Sequence, residues 1–358
     1  MHLGIDAHLL LREKATGVER YAKFLLEQMM VTSPADVRVT LYGHDDKPTW
    51  LTLRNNWTWK KLGWSIGRGW THGRLSLEML MHPPDVLFVP GHEVPAFMRS
   101  KTKVVTTLHD VAFKRNPETY SPSAVQRQDL AVRRAIKRAA RILVPSEASK
   151  LDLAEFFNVP FDRVVVTHLA PTMPPTGSAD TLARLHLRPG SYFFFLSRLE
   201  AKKGVVDLIR AFTFLKQRLG HGDPHQLVLV GSFGYGGEVA KRAIEESEAK
   251  ADIRVLGYVE NEDVRTLLDQ SLALVMPSLA EGFGIPVLEA MASGVPVIAS
   301  DIPALREVAG EAALFSRPGD VSSLLEVMQR MVFDGGLREK FIADGTERVK
   351  QFSWEKCA

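Results

Sequence analysis

The sequence predicts an α/β protein with two doubly wound, Rossmann-like domains that face each other over a central cleft. The chain has 358 residues, more than the roughly 250 to 300 over which a single hydrophobic core grows. Short runs rich in Val, Ile and Phe alternate with segments of helical period, which is typical of βαβ units and parallel sheets. A stretch rich in proline, APTMPPTGSAD at 170–180, interrupts this alternation and has the composition of an interdomain linker.

The first half of the chain predicts one complete doubly wound domain over residues 1–170. Its short apolar runs predict strands at 2–10, 37–42, 85–90, 103–109, 141–146 and 163–169. The segments with helical period predict helices at 18–30, 123–140 and 147–157. Because each strand is followed by a connection long enough to cross over, we expect a parallel sheet.

The same alternation restarts after a linker that we place at 171–190. The predicted strands are 191–197, 226–232, 253–259, 272–278 and 295–300, and the predicted helices are 205–219, 238–250, 261–270, 286–293 and a helical region from Val321. We therefore expect a second Rossmann-like domain at 191–340. The helical pattern continues through 341–358 towards the end of the chain.

Composition and charge exclude several classes of protein. Hydrophobic residues make up 45% and charged residues 24% of the chain, as in ordinary globular proteins. A formal net charge of +3 is too small to indicate a nucleic-acid partner. The single cysteine, Cys357, excludes a disulfide framework and a cysteine metal cluster. With neither a signal peptide nor an apolar run of about 18 residues, we expect a cytoplasmic protein.

One segment departs from the alternating pattern. Residues 55–75, NNWTWKKLGWSIGRGWTHGRL, contain four of the six tryptophans together with Lys60, Lys61, Arg68 and Arg74. The rings could form a small satellite core under a long loop. Trp with Lys and Arg also suits a membrane interface, so peripheral contact with a membrane that carries a lipid-linked acceptor is the alternative.

Candidate ligand-binding residues follow the strands, because open parallel sheets bind ligands beyond their carboxyl ends. In the first half, Gly17 opens a predicted helix whose N-terminus could meet an anion. His109 and Asp110 end the strand TTLHD. Either feature could instead be structural, the glycine as ordinary turn chemistry and the histidine as a satisfied core residue.

The second half offers a basic turn and a pair of glutamates. Arg198, Lys202 and Lys203 follow the apolar strand SYFFFL, and clustered cations suit a diphosphate, although a solvated basic turn would look the same. Glu281 and Glu289 stand eight positions apart in SLAEGFGIPVLEAMASG, around the glycine-rich loop 282–284. Because a buried carboxylate needs partners, we expect Glu289 to meet ligand hydroxyls.

Five segments in order resemble the retaining glycosyltransferases of family GT4, which have the GT-B fold. The stretch 278–300 resembles the E-x7-E signature of that family, and a single such pair would be weak evidence. The other segments are TGVERY (16–21), LHDVAF (108–113), SRLEAKKGVVDLIRAF (197–212) and IPALREVAG (302–310). Their order along nearly the whole chain makes the resemblance specific.

The resemblance implies roles for the donor, a nucleoside-diphosphate sugar. Arg198 and Lys203 would bind the diphosphate, and Glu289 would accept hydrogen bonds from the ribose. Glu281, with the backbone amides of the loop Gly282, Phe283 and Gly284, would hold hydroxyls of the transferred hexose. The backbone at Tyr258 and Val259 would contact the base.

The resemblance also assigns residues of the first half. Gly17 would let the N-terminal loop approach the phosphates, and His109 would contact the sugar near the reacting carbon. Family members often have G-R-L where this chain has Ser197, Arg198 and Leu199, which matters little if only the arginine is required. Their C-terminal helix often packs back on the first domain, so the resemblance implies that the helix at 341–358 returns towards that domain.

The implied reaction is hexosyl transfer with retention at the anomeric carbon, in which the leaving diphosphate helps to deprotonate the acceptor. No D-x-D motif stands beside the donor segment, so cations and helix N-termini would have to stabilise the leaving group. We therefore expect catalysis without a metal or prosthetic group. A covalent intermediate on Glu281 is the alternative.

The three family segments that contain Gly17, His109 and Glu281 look most like bacterial mannosyltransferases of surface-polysaccharide assembly, which use GDP-mannose. The expected acceptor is a glycan or a lipid-linked saccharide. A UDP-hexose-dependent transferase, a nucleotide-sugar epimerase and a non-catalytic sugar-binding protein are the alternatives. Nucleotide release from a donor sugar would separate transfer from the last two.

Overall fold

The computed structural model describes residues 1–12, 17–64, 69–178 and 180–358. The chain divides into two compact units, and each unit is built on its own parallel sheet. The first unit consists of Met1–Val111, Ser123–Leu169 and Ser353–Ala358, and the second consists of Ala112–Pro122 and Ala170–Phe352. The predicted class, two Rossmann-like α/β domains, is confirmed.

The described residues form strands and helices that alternate along the chain. The strands are β1 His2–Asp6, β2 Arg38–Gly43, β3 Trp57–Lys61, β4 Val86–Val89, β5 Lys103–Thr107, β6 Ala139–Val144, β7 Val164–Val166, β8 Tyr192–Leu196, β9 Gln226–Val230, β10 Ile253–Gly257, β11 Ala273–Met276, β12 Val297–Ser300 and β13 Leu314–Ser316. The helices are α1 Gly17–Thr32, α2 Ser76–Met81, α3 Ala112–Arg115, α4 Pro122–Arg138, α5 Glu147–Phe157, α6 Thr181–Arg184, α7 Val205–Leu219, α8 Gly237–Glu245, α9 Asn261–Asp269, α10 Ile285–Ala292, α11 Pro303–Ala309, α12 Val321–Phe333, α13 Gly335–Val349 and α14 Trp354–Cys357.

The sheet of the first unit has the order β3-β2-β1-β4-β5-β6-β7, with all neighbouring strands parallel. The strand order reverses between β1 and β4. Such a reversal opens a crevice at the carboxyl ends of the two strands, where ligands bind in this class of sheet. The crevice of the first unit therefore lies beyond Asp6 and Val89.

The sheet of the second unit has the order β10-β9-β8-β11-β12-β13 and is also parallel throughout. Here the order reverses between β8 and β11. The core lies under this sheet, where Phe193 and Phe195 pack with Leu208 and Phe212 of α7. The reversal places the ends of β8 and β11, Leu196 and Met276, side by side at the carboxyl edge.

The structure adds strands that were not predicted from the sequence and shortens several that were. The added strands are β3 and β13, which lie at the outer edges of the two sheets. β3 reads WTWKK and β13 has three residues, so neither shows a long apolar run. The strand predicted at 2–10 ends at Asp6, because His8–Leu11 form a 3-10 turn.

The tryptophans of the segment 55–75 are packed into the first unit. Trp57 and Trp70 are buried, and their indole N–H groups donate to Ser33 Oγ at 3.2 Å and to Leu62 O at 2.9 Å. Lys60 pairs with buried Glu78. The structure therefore supports the satellite-core interpretation of this segment; Arg68 lies outside the described residues.

The predicted domain limits can be compared with the unit boundaries. The segment Ala112–Pro122 groups with the second unit, although it lies within the predicted first domain. Helix α13 also belongs to the second unit, so Ser353–Ala358 is the part of the predicted C-terminal segment that groups with the first unit. Among the described residues, no helix is both long enough and apolar enough to cross a membrane.

Candidate functional site

The two strands that border the crevice of the second unit bring Lys203 and Glu281 together. Lys203 lies in the turn after β8, and Glu281 lies in the loop after β11. The Lys203 Nζ donates to Glu281 Oε1 at 2.6 Å, and Ser278 Oγ donates to the same oxygen at 2.7 Å. The two charged side chains are only 13% and 9% exposed. We call these three residues the Lys203–Glu281–Ser278 group.

A close backbone contact fixes this group. Gly204 has φ +64°, and a Cβ at this position would lie 2.0 Å from the carbonyl oxygen of Pro277. The backbone N–H of Leu279 donates to the carbonyl oxygen of Lys202 at 2.8 Å. Only glycine combines this left-handed conformation with so close an approach, so the turn after β8 is held directly against the loop after β11.

Arg198 differs from Lys203 in its exposure. Its side chain is 61% exposed, and its Nη1 lies 3.8 Å from Glu200 Oε2. A cation paired this loosely in solvent can turn towards a ligand at little cost. The predicted diphosphate residues therefore comprise one accessible guanidinium and one ammonium that is already bonded to Glu281.

The glycine-rich loop after Glu281 leads into helix α10. Gly284 caps this helix with φ +117°, and Pro286 occupies its first turn, as expected for a residue without an N–H at that position. Phe283 is buried, and its ring lies edge to face against Phe352, with 5.9 Å between the centroids. The positive end of the helix dipole thus follows directly after Glu281.

Glu289 is buried within α10, as its apolar neighbours in sequence predicted. Its carboxylate is 3% exposed and accepts a hydrogen bond from the hydroxyl of Thr172, which is itself buried. The expected partner was a ligand hydroxyl, whereas the structure supplies a hydroxyl of the chain. Thr172 lies in the proline-rich segment after the first unit, and no sequence pattern indicated that it would contact α10.

Tyr258 and Val259 directly follow β10, at the outer edge of the second sheet. Tyr258 is 45% exposed. They are separated in the strand order from the ends of β8 and β11 by β9. The structure therefore places these two residues at the carboxyl edge but on a different strand from the Lys203–Glu281–Ser278 group.

His109 belongs to the first unit and lies just beyond β5. Its Nε2 is 3.0 Å from the carbonyl oxygen of Pro90; since a carbonyl only accepts, Nε2 carries the proton. Burial lowers the pKa of His109, which favours the neutral ring with Nδ1 as an acceptor. The ring stands edge-on against Tyr21, at 4.8 Å between centroids. This arrangement can accept a hydrogen bond from a hydroxyl group.

Gly17 is the first residue of α1 and is exposed. A Cβ at this position would meet nothing within 4 Å, so the packing of the described residues does not require glycine there. Residues 13–16, which include Thr16 of the TGVERY segment, lie outside the described residues.

Sequence analysis missed Ser278 and the direct pairing of Lys203 with Glu281. The serine was visible in the sequence three positions before Glu281, a spacing that lets its hydroxyl reach the carboxylate across one turn of a loop. The ion pair joins residues 78 positions apart. Only the pairing order of the strands, with β8 beside β11, predicts that contact.

Comparison with known families and proteins gives consistent matches to both halves of the chain. Residues 15–170 match the model described as Glycosyltransferase Family 4, and residues 186–348 match the model described as Glycosyl transferases group 1. The chain is 33% identical over 260 residues to the O-antigen chain mannosyltransferase B of Escherichia coli, covering 71% of this chain and 68% of that protein. It spans 60% of the O-antigen chain mannosyltransferase RfbU of Salmonella typhimurium, at 28% identity, and 33% of a serotype-specific mannosyltransferase WbdA of Escherichia coli, at 25% identity.

Solved structures resemble the whole chain. Sucrose-phosphate synthase from Thermosynechococcus elongatus superposes with a TM-score of 0.77 at 18% identity, covering 100% of this chain and 96% of the other. Anabaena HepE, solved in complex with UDP and glucose, superposes with a TM-score of 0.73 at 18% identity, covering 99% and 96%. At this identity the likeness concerns the fold.

Proposed function

Because the chain belongs to the group 1 and family 4 glycosyltransferases, we propose that it transfers mannose from GDP-mannose to a glycan acceptor. Its fold is of the GT-B class, with two Rossmann-like domains. The mannose donor is proposed because similar proteins are O-antigen chain mannosyltransferases. The single observation that carries the chemistry is the Lys203–Glu281–Ser278 group at the carboxyl edge of the second sheet.

In this proposal, Glu281 positions the transferred sugar. Lys203 and Ser278 both contact its Oε1, which holds the carboxylate in one orientation. Oε2 then accepts hydrogen bonds from hexose hydroxyls, together with the amides of Gly282, Phe283 and Gly284. A covalent intermediate on Glu281 is the less favoured alternative, because a carboxylate held by an ammonium and a hydroxyl is a weakened nucleophile.

Charge on the departing diphosphate is stabilised by Arg198, by Lys203 and by the N-terminus of α10. Arg198 supplies a mobile guanidinium that suits bidentate contacts with phosphate. Lys203 supplies a fixed positive charge in a partly desolvated place, where electrostatic stabilisation is strongest. These groups support turnover without a metal ion, with retention at the anomeric carbon and with the diphosphate helping to deprotonate the acceptor.

The remaining residues complete the proposed donor site. Glu289 accepts from the ribose, and the backbone at Tyr258 and Val259 contacts the base. His109 accepts a hydroxyl hydrogen bond of the sugar through Nδ1, and Gly17 leaves room for a phosphate. A lipid-linked saccharide is a proposed acceptor, and a peripheral position at the cytoplasmic face of a membrane would follow from that acceptor and not from the packed tryptophans.

A UDP-hexose-dependent transferase is the second candidate. It is favoured by one observation, the structural likeness to HepE, which was solved with UDP and glucose. The two candidates share the diphosphate and hexose contacts and differ in the base and the sugar. Offering both donors to the same protein therefore distinguishes the two candidates.

The test is transfer to nitrophenyl mannotriose from GDP-mannose, UDP-glucose or UDP-galactose, with the product anomer assigned by NMR. We expect an α-mannoside from GDP-mannose, at an unchanged rate in excess EDTA. Glu281→Gln removes the charge that pairs with Lys203 and should lower kcat about a hundredfold. Lys340→Ala, in an exposed pair with Asp344 on α13, is the matched control and should act as wild type. Complete loss of activity in EDTA, or transfer from a UDP-sugar alone, would contradict the proposal.

A further inference from the structure

The crevice of the first unit contains a buried carboxylate that the proposed donor site does not use. Asp6 is the last residue of β1, one of the two strands at which the sheet order reverses. Its side chain is fully buried. Oδ1 accepts from both the backbone N–H and the Nδ1 of His8, at 3.2 and 2.7 Å. Oδ2 is buried without a hydrogen-bond partner among the described residues.

Such an arrangement is costly for folding. A buried carboxylate with one unsatisfied oxygen loses its hydration without full compensation. The Asp6 carboxylate is hydrogen-bonded to His8, so the charge of Asp6 acts mainly on His8. Burial works against protonation of this histidine, but the charge and hydrogen bond of Asp6 outweigh it and raise the pKa of His8. The carboxylate thus fixes the orientation of one imidazole and favours its protonation, as in other carboxylate–histidine pairs.

His8 is the part of this pair that a ligand can reach. Its side chain is 22% exposed, and its Nδ1 is occupied by Asp6. Nε2 has no hydrogen-bond partner in the described part of the chain. The ring lies 5.5 Å from that of Trp70, whose own N–H is bonded to Leu62 O. Asp6 and Trp70 thus contact the imidazole on two sides, and Nε2 remains available for a hydrogen bond to a ligand.

The charges around His8 indicate which kind of ligand fits. Asp6 is negative, and Glu93 is close enough to influence the titration of His8. Arg12 is bonded to the buried carboxylate of Glu19 at 2.7 Å, so its charge is compensated. A phosphate would lie close to the carboxylates of Asp6 and Glu93, whereas a neutral hydroxyl can hydrogen-bond to the imidazole without a charge penalty.

We propose that the Asp6–His8 pair is an acceptor subsite, in which His8 Nε2 hydrogen-bonds a hydroxyl of the incoming saccharide and Asp6 positions the imidazole. This inference rests on the proposed function, since it assigns the acceptor to the crevice of the first unit. It adds residues that lie on β1 and the following turn, outside the five segments that carried the family resemblance.

The test separates acceptor binding from donor binding. In the transfer assay, His8→Ala should raise the KM for nitrophenyl mannotriose about tenfold or more, the loss expected for a hydrogen bond to a charged group. The KM for GDP-mannose should stay within twofold. Asp6→Asn, which keeps the size of the side chain but not its charge, should give a smaller rise in the acceptor KM.

The matched control is His82→Gln. His82 also pairs with a buried carboxylate, Glu78, at 3.2 Å, but it precedes β4 and so lies towards the opposite edge of the sheet. The acceptor KM of the His82→Gln variant should equal that of wild type. An acceptor KM within twofold of wild type for His8→Ala, or an equal rise in both KM values, would overturn the subsite.

A binding measurement keeps the subsite testable if transfer from GDP-mannose is not found. Saturation-transfer NMR with mannotriose alone should show contacts in wild type that are lost in His8→Ala, with thermal melts confirming that both proteins are folded. Transfer failing while these contacts appear would refute only the proposed function. Equal contacts in both proteins, or none in wild type, would refute the subsite.

Discussion

At the scale of single residues, three polar side chains assigned to the donor sugar are each held by one or two specific partners. Glu281 has Lys203 and Ser278, Glu289 has Thr172, and His109 has the carbonyl of Pro90. Partners of this kind offset the cost of burial and fix rotamers before a ligand arrives. The residues assigned to substrate are therefore preorganised.

His109 gives a prediction about pH and stability. Because burial lowers its pKa in the folded protein, the unfolded chain binds this proton first as the pH falls through about 6.5. Wild type should then lose stability relative to His109→Gln between pH 8 and pH 5.5, since the glutamine amide still donates to Pro90 O but does not titrate. The other groups titrate alike in both proteins, so their effects cancel in the difference.

Urea denaturation of both proteins at the two pH values measures this difference directly. If His109→Gln becomes more stable relative to wild type between pH 8 and pH 5.5, His109 is neutral in the folded state. If wild type instead becomes more stable relative to the variant at low pH, the pKa of His109 is raised and its Nδ1 cannot serve as an acceptor.

The residue types of the site were predictable from sequence, but most of their contacts were not. Glu281 and Glu289 stand in a local pattern, with glycines before a helix and apolar neighbours along it, and this pattern predicted one glutamate beside the loop and another that is buried. Lys203 and Glu281, by contrast, meet because β8 and β11 are neighbours. Likewise, Asp6 was predicted within a strand that ran on to residue 10, which hid the turn that brings His8 back to it.

At the scale of elements, the turn between β8 and α7 leaves no room for a side chain at Gly204. Gly204 and Gly190 both have positive φ, +64° and +67°. A Cβ at Gly204 would collide with Pro277 O, whereas at Gly190 it would meet nothing within 4 Å. Comparing the two glycines therefore separates the cost of a left-handed backbone from the cost of the close approach to Pro277 O.

Alanine at each position should reveal these two costs. Gly190→Ala should lower the free energy of unfolding by about 1 kcal/mol, the cost of a left-handed residue with a Cβ. Gly204→Ala should lower it by about 3 kcal/mol, because the loop carrying Ser278 and Glu281 must move away. Urea denaturation measures both values; equal losses would show that the contact with Pro277 is relaxed at no cost.

At the scale of the whole molecule, the alternation of strands and helices predicted the fold class, because parallel sheets need long apolar runs and crossover helices. The short outer strands β3 and β13 were not predictable, since they are edge strands whose sequences carry little hydrophobic pattern. The hydrophobic pattern also did not predict the order in which the strands pair within each sheet. That order decides which loops meet and so decides where the site lies.

We propose that the second unit binds a guanosine diphosphate sugar through Arg198 and Lys203 without a metal. Thermal unfolding in EDTA tests this most directly, with GDP, UDP, ADP or dTDP all at one concentration. That concentration is about 100 times the dissociation constant of GDP, at which bound GDP adds about 2.7 kcal/mol. Each variant is compared with its own melt without nucleotide, because Lys203→Ala also leaves the Glu281 carboxylate without its ion pair.

GDP should raise the melting temperature of wild type and of the control Lys340→Ala, and UDP, ADP and dTDP should not. Arg198→Ala and Lys203→Ala should each reduce the shift, and the double variant should abolish it. A shift produced by UDP instead of GDP would contradict the donor, and a GDP shift that persists in the double variant would contradict the placement of the diphosphate site.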